Sequence, residues 1–148
     1  MEITWLGHSS VRIVSRDVVL ITDPYPESIG FAMGDQQADV VTVSNDHPNH
    51  SRLESVGGEP RVLNGPGQYE VKGYNVTGMG TSVTDADGNR RVNTVYTIRA
   101  EGLTLCHLGD LNERLGSGQL DAIGNIDILM VPAGGGCTIE VGDVPQLI

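Results

Sequence analysis

Residues 18–22 read V-V-L-I-T and stop at Asp23-Pro24, and residues 39–44 read D-V-V-T-V-S. Neither run alternates apolar with polar positions throughout, since each contains consecutive valines, and each is too short for a buried helix. Each therefore predicts a strand covered on both faces. Such a strand needs a layer above and a layer below, which commits the chain to stacked sheets or to a sheet covered by other elements. The rest of the sequence agrees. Short β-rich runs at residues 3–6, 11–14, 61–63, 69–71, 74–77, 93–99, 103–108 and 126–131 are separated by turn residues. The plainest turn is D-A-D-G-N at residues 85–89, a hairpin signal, and Glu101-Gly102 makes the next one. Counting runs between turns predicts about ten strands, and only residues 119–123 predict a short helix.

A chain of 148 residues supports one domain, spanning 1–148, with a real core. Nineteen acidic against nine basic residues leave a formal charge of −10, which repels a phosphate backbone and argues against nucleic acid as a partner. There is no basic amphipathic run to suggest a membrane surface, and no apolar stretch approaches the ~20 residues that span a bilayer. The sequence enters strand-like residues directly after Met1, without a signal-peptide pattern. Its two cysteines, Cys106 and Cys137, are too few for a disulfide scaffold, so a cytoplasmic location is expected. Cys106, between Leu105 and His107, reads as a small buried hydrophobe, whereas Cys137 falls in a glycine-rich loop.

Chemistry-bearing residues gather where strands end. Residues 42–51 read T-V-S-N-D-H-P-N-H-S, placing His47 and His50 just past a predicted strand. Gly109-Asp110 ends another strand, and the Asp110 carboxylate is expected to cap the following loop, to line a pocket, or to do both. His107 lies within that strand and is expected to be packed and hydrogen-bonded.

Four segments, I-T-W-L-G-H-S-S, L-I-T-D-P-Y, V-S-N-D-H-P-N-H-S and L-C-H-L-G-D-L, stand in an order and spacing that resembles the metallo-β-lactamase-fold superfamily. Within it they are most similar to the branch of small bacterial metal-dependent hydrolases, and G-P-G-Q-Y-E and D-I-L-M-V-P-A-G-G look like further landmarks. The resemblance implies an αββα sandwich, two mixed β-sheets packed face to face with few short helices outside, and an abbreviated C-terminal part. It also implies a hydrolytic metal site built on H-x-H-x-D-H, where imidazoles and a bridging carboxylate hold a metal-bound hydroxide.

Against that motif the chain reads N-D-H-P-N-H. His47 and His50 match, Asn45 stands at the first histidine and Asn49 at the aspartate. Asp110 matches the bridging aspartate, Val83 aligns with a further family histidine, and the last family histidine would fall beyond Ile148. An amide oxygen is a neutral, weak ligand for zinc. The resemblance therefore implies a degraded site with low or absent activity, in which Asn45 and Asn49 satisfy backbone groups and replace ion-mediated cross-links. Asp23 is expected to brace the histidine loop through hydrogen bonds.

The alternative is an active hydrolase with a rearranged single-metal site of His47, His50 and Asp110. His8 would then serve as a substitute ligand or acid/base group, and Zn²⁺, or Mn²⁺ or Fe²⁺, as the metal. A small-molecule substrate is implied without its class. A homodimer or higher oligomer is expected to cover the sheet edge that an abbreviated sandwich leaves open.

Overall fold

The computed structural model describes residues 1–134 and 138–146; Cys137 and part of the glycine cluster lie outside them. The chain opens with β1 (Glu2–Gly7), β2 (Ser10–Ser15) and β3 (Val18–Thr22), followed by β4 (Gln36–Gln37), β5 (Val40–Val43), β6 (Val56–Gly57) and β7 (Arg61–Asn64). It continues through β8 (Gly67–Val71), β9 (Tyr74–Thr84), β10 (Arg90–Ala100) and β11 (Leu103–His107), then helix α1 (Ser117–Ile123) and β12 (Ile128–Met130). Two five-stranded sheets result, ordered β1-β2-β3-β5-β7 and β12-β11-β10-β9-β8, with β4 and β6 as a small separate pair. Both large sheets are mixed: β3, β5 and β7 run parallel, as do β11 and β12, while the remaining pairs are antiparallel.

Doubly covered strands are what the two apolar runs predicted, and the side chains divide accordingly. Leu20 and Val40 join Ile13, Leu63, Tyr74, Tyr96, Ile98 and Leu105 in the core between the sheets. Their neighbours Ile21, Val41 and Val43 point outward, where Tyr25, Met33 and Val56 from the connecting loops cover them. On the far side Val95, Cys106 and Leu108 are covered by Leu111, Ile123 and Ile139. The architecture is the expected sandwich of two mixed sheets, with thin outer layers: α1 is the single α-helix among the described residues. None of the described helices is long and apolar enough to cross a membrane.

Two tyrosines tie the sheets together across the core. Tyr74 donates to the Ile13 and Val18 carbonyls, and burial pushes its hydroxyl up to about 12. Tyr96, with no exposed surface, serves the carbonyls of Val43 and Leu63 and accepts the Gly65 N–H. Tyr96→Phe removes that hub while keeping the ring, leaving buried carbonyls and an N–H without a partner. It should cost about 2–3 kcal/mol, read as a lower urea midpoint at unchanged m-value. A loss below about 0.5 kcal/mol would mean that the hub is redundant.

Candidate functional site

The parallel pairing of β3 with β5 brings the C-terminal ends of both strands to one edge of the sandwich, where Asp23 and Ser44 follow them. The end of β11 and the start of β10 meet them there, because Thr94 donates its N–H to the Ser44 carbonyl at 2.7 Å. The turn between β1 and β2 adds His8, whose carbonyl accepts the Trp5 indole N–H at 3.0 Å. His8 (φ 48°) and Asp23 (φ 37°) both have the left-handed backbone that side chains other than glycine seldom adopt. Strain of this kind is sustained where the surrounding structure dictates the conformation.

Asp23 is the centre of the cluster. It is fully buried; Oδ1 accepts the Ser44 N–H at 2.7 Å, and Oδ2 accepts the Ser44 hydroxyl and faces His50 Nδ1 at 2.8 Å. A carboxylate accepts only, so His50 carries its proton on Nδ1 and presents Nε2 on the other side, 3.8 Å from Asp110 Oδ2. Burial pushes the Asp23 carboxyl up, but the field of His107 and the hydrogen bonds from His50 and Ser44 outweigh it and hold the group below the usual range. This is the bracing expected for Asp23.

The loop after β5 closes on itself through neutral contacts. Asn45, buried, accepts the His47 N–H on Oδ1 at 3.0 Å and donates from Nδ2 to the Ser44 hydroxyl. The Asn49 N–H donates to His47 Nδ1 at 3.2 Å, so the Asn49 link runs through its backbone rather than its amide. His47 is exposed and stands edge-on to His50 with ring centroids 6.3 Å apart; His8 is closer, at 4.9 Å. Burial, then the neighbouring His50, lowers the His8 imidazole below its ordinary value, against the opposing pull of Asp110 and Asp23. Asp110 is held through its own N–H, which donates to Asn93 Oδ1 at 3.0 Å, and it lines the cleft. His107 Nε2 donates to the Ser9 carbonyl at 2.9 Å, and the ring is packed as expected.

His8, Ser9, His50, His107 and Asp110 floor a cleft of about 620 Å³. His8, His50 and Asp110 form its polar end, and Ile3, Trp5, Val11, Phe31, Met130 and Pro132 form apolar walls. The volume falls within the range of about 300–1,000 Å³ usual for small-molecule sites. His47, Asn45 and Asn49 stand behind or beside the cleft and do not line it, and Glu70 is exposed on β8 away from it.

One contributor has no counterpart in the motif reading. Arg91, on β10, reaches Asn45 Oδ1 with Nη1 at 3.3 Å and Asp110 Oδ2 with Nη2 at 3.7 Å. In the sequence it is the second of two arginines after a hairpin turn, which reads as an exposed charge. Its signal lies in the register: Arg91 pairs across the ladder with Val83, the position aligned with a family histidine. Among the described residues, no three His, Cys, Asp or Glu side chains converge so as to hold a metal ion.

Two mixed sheets with the histidine- and aspartate-bearing loops gathered at one edge define a metallo-β-lactamase-fold protein. The chain belongs to the beta-lactamase superfamily: residues 2–148 match the family described as Beta-lactamase superfamily domain. A protein from Thermotoga maritima, assigned to the Zn-dependent hydrolases of the metallo-beta-lactamase superfamily, is 36% identical and superimposes with a TM-score of 0.80 over 98% of this chain and 68% of its own. A protein from Parabacteroides distasonis assigned as a metal-dependent hydrolase shares the fold at 16% identity, with a TM-score of 0.76 over 98% of this chain and 75% of that one. The diiron β-hydroxylase CmlA from Streptomyces venezuelae does so at 15% identity and a TM-score of 0.64, over 87% of this chain and 34% of its own. No curated protein sequence matches.

Proposed function

We propose that this chain is a superfamily member in which the hydrolytic metal centre has been exchanged for a metal-free polar network, leaving a small-molecule-binding cleft with little or no hydrolytic activity. The observation that carries the reading is Asn45. It stands where the motif places a histidine, and both ends of its amide are committed to protein partners. Two ring nitrogens are engaged as well, His50 Nδ1 with Asp23 and His47 Nδ1 with the Asn49 N–H, which leaves Nε2 of each histidine and the Asp110 carboxylate as the donors still open. A zinc site draws on three or four strong protein ligands, each needing a free lone pair aimed at one point. Among the described residues the open donors do not converge on one point in that number, and no reaction step is routed through a metal here. What the residues offer instead is recognition: apolar walls for the body of a ligand, and the His50 ring, fixed by Asp23, beside Asp110 for a polar group.

Elemental analysis tests this directly. Protein expressed with Zn²⁺, Mn²⁺ or Fe²⁺ supplements and then desalted should retain below ~0.1 equivalent of any of them. Its melting temperature should also be indifferent to chelator. One equivalent of bound metal that disappears in His47→Ala would overturn the reading in favour of the rearranged single-metal hydrolase.

A further inference from the structure

We infer that Arg91 is the tethered counter-cation of this cluster: its guanidinium supplies the charge and the cross-link that a divalent ion would supply, and it excludes such an ion. The inference rests on the metal-free reading above and assigns its cause to one side chain. Arg91 lies opposite Val83 in the β9–β10 ladder, so both side chains leave the same face, and Val83 is apolar and buried. The guanidinium reaches past it to the two loops that carry the site. Nη1 donates to the Asn45 amide oxygen in the loop after β5, and Nη2 lies 3.7 Å from the Asp110 carboxylate in the loop after β11. One cation thus bridges an oxygen donor from each sheet.

The setting strengthens the effect. The Arg91 and Asp110 side chains are 25% and 16% exposed, whereas Arg52 and Arg90 pair with glutamates at the surface. Arg90, the next residue, is 68% exposed and bonds Ser82 and Glu113 instead. A carboxylate and a guanidinium in a partly desolvated pocket attract more strongly than the same pair in water. A divalent ion placed between Asn45 and Asp110 would stand beside the guanidinium, and the two like charges would repel at short range. Asp110 can therefore serve Arg91 or a metal ion, but not both. Restoring the family ligands alone would leave the competitor in place.

The test is a calorimetric titration of Zn²⁺ and Mn²⁺ into four proteins: wild type, Asn45→His/Asn49→Asp, and that double variant carrying Arg91→Met or Arg91→Lys. Removing the charge with methionine should tighten binding about 100-fold over the double variant, the size of a strong coupling between neighbouring groups. Lysine should keep binding as weak as in the double variant. Equal affinity of the double variant and its Arg91→Met derivative overturns the inference, and so does absence of binding in both. Lysine behaving like methionine overturns it too, because shape rather than charge would then be responsible. Stoichiometric metal in the wild type would instead sink the metal-free reading, so the two failures are distinguishable. If the multiple variants do not fold, Arg91→Met alone decides: its melting temperature should rise with millimolar Mn²⁺ while that of the wild type stays put. Indifference of Arg91→Met to Mn²⁺ overturns the inference.

Discussion

Asp23→Ala is expected to lose about 3–5 kcal/mol of folding stability, the cost of stripping one partner from a buried, hydrogen-bonded charge cluster. Three groups depend on this carboxylate: the Ser44 N–H, the Ser44 hydroxyl and His50 Nδ1. Asp23 and His50 are 0% and 4% exposed, so water does not replace the missing acceptor. For a domain of this size that loss approaches the whole margin of stability. The signature is a much lower urea midpoint, and a loss under about 1 kcal/mol would show that the cluster does not hold the loop. Asp23→Asn refines the test through pH. The folded carboxyl lies below its ordinary value, so its stabilising contribution is fully present above the unfolded value of about 4 and is lost as the pH falls through the lower folded value. The stability gap between wild type and Asp23→Asn should therefore be constant at neutral pH and shrink below about pH 4. A gap that widened in acid would contradict the assignment.

Gly109→Ala should follow closely, at about 2–5 kcal/mol. Gly109 has φ 64°, and an added Cβ would stand 2.5 Å from Asn93 Oδ1 and 2.6 Å from Ser44 Cβ. The left-handed backbone costs an L-residue about 1–2 kcal/mol, and forcing apart a packed contact about 1–3 more. Both obstructing residues belong to the site: Asn93 accepts the Asp110 N–H, and Ser44 binds Asp23. The substitution should therefore displace Asp110 as well as destabilise the fold. Equilibrium unfolding together with the histidine ring signals in NMR would show both effects; an alanine variant with unchanged His50 resonances and stability would refute the close approach. Because the two substitutions share Ser44, their costs in a double variant should sum to less than the parts.

Several elements were legible because the local signal and the final structure agree. V-V-L-I-T became β3 to the residue, D-A-D-G-N became the turn between β9 and β10, and residues 119–123 fell inside α1. The loop after β5 could be picked out because its residue types stand in a recognisable order at a strand end. Other features carried no local mark. The run at residues 74–77 predicts a brief strand, yet β9 continues to Thr84 through Gly78 and Gly80. Glycine reads locally as a strand breaker, but Gly78 is where the Gly65 carbonyl passes, leaving 2.8 Å to where a Cβ would sit. The pair β4 and β6 joins two residues from each of two loops, and only their parallel meeting creates it.

Arg91 marks the same boundary at the site. Apolar spacing, turn residues and the strand-end histidines are properties of neighbours along the chain, and they determined that this protein is a sandwich of doubly covered strands with His47, His50 and Asp110 in the loops at one edge. Which charges meet across that edge depends on ladder register and on the approach of two sheets, distances that join residues 46 positions apart. Electrostatic partnership is a matter of ångströms through space, and so only the folded chain decides that a guanidinium faces Asn45 and Asp110.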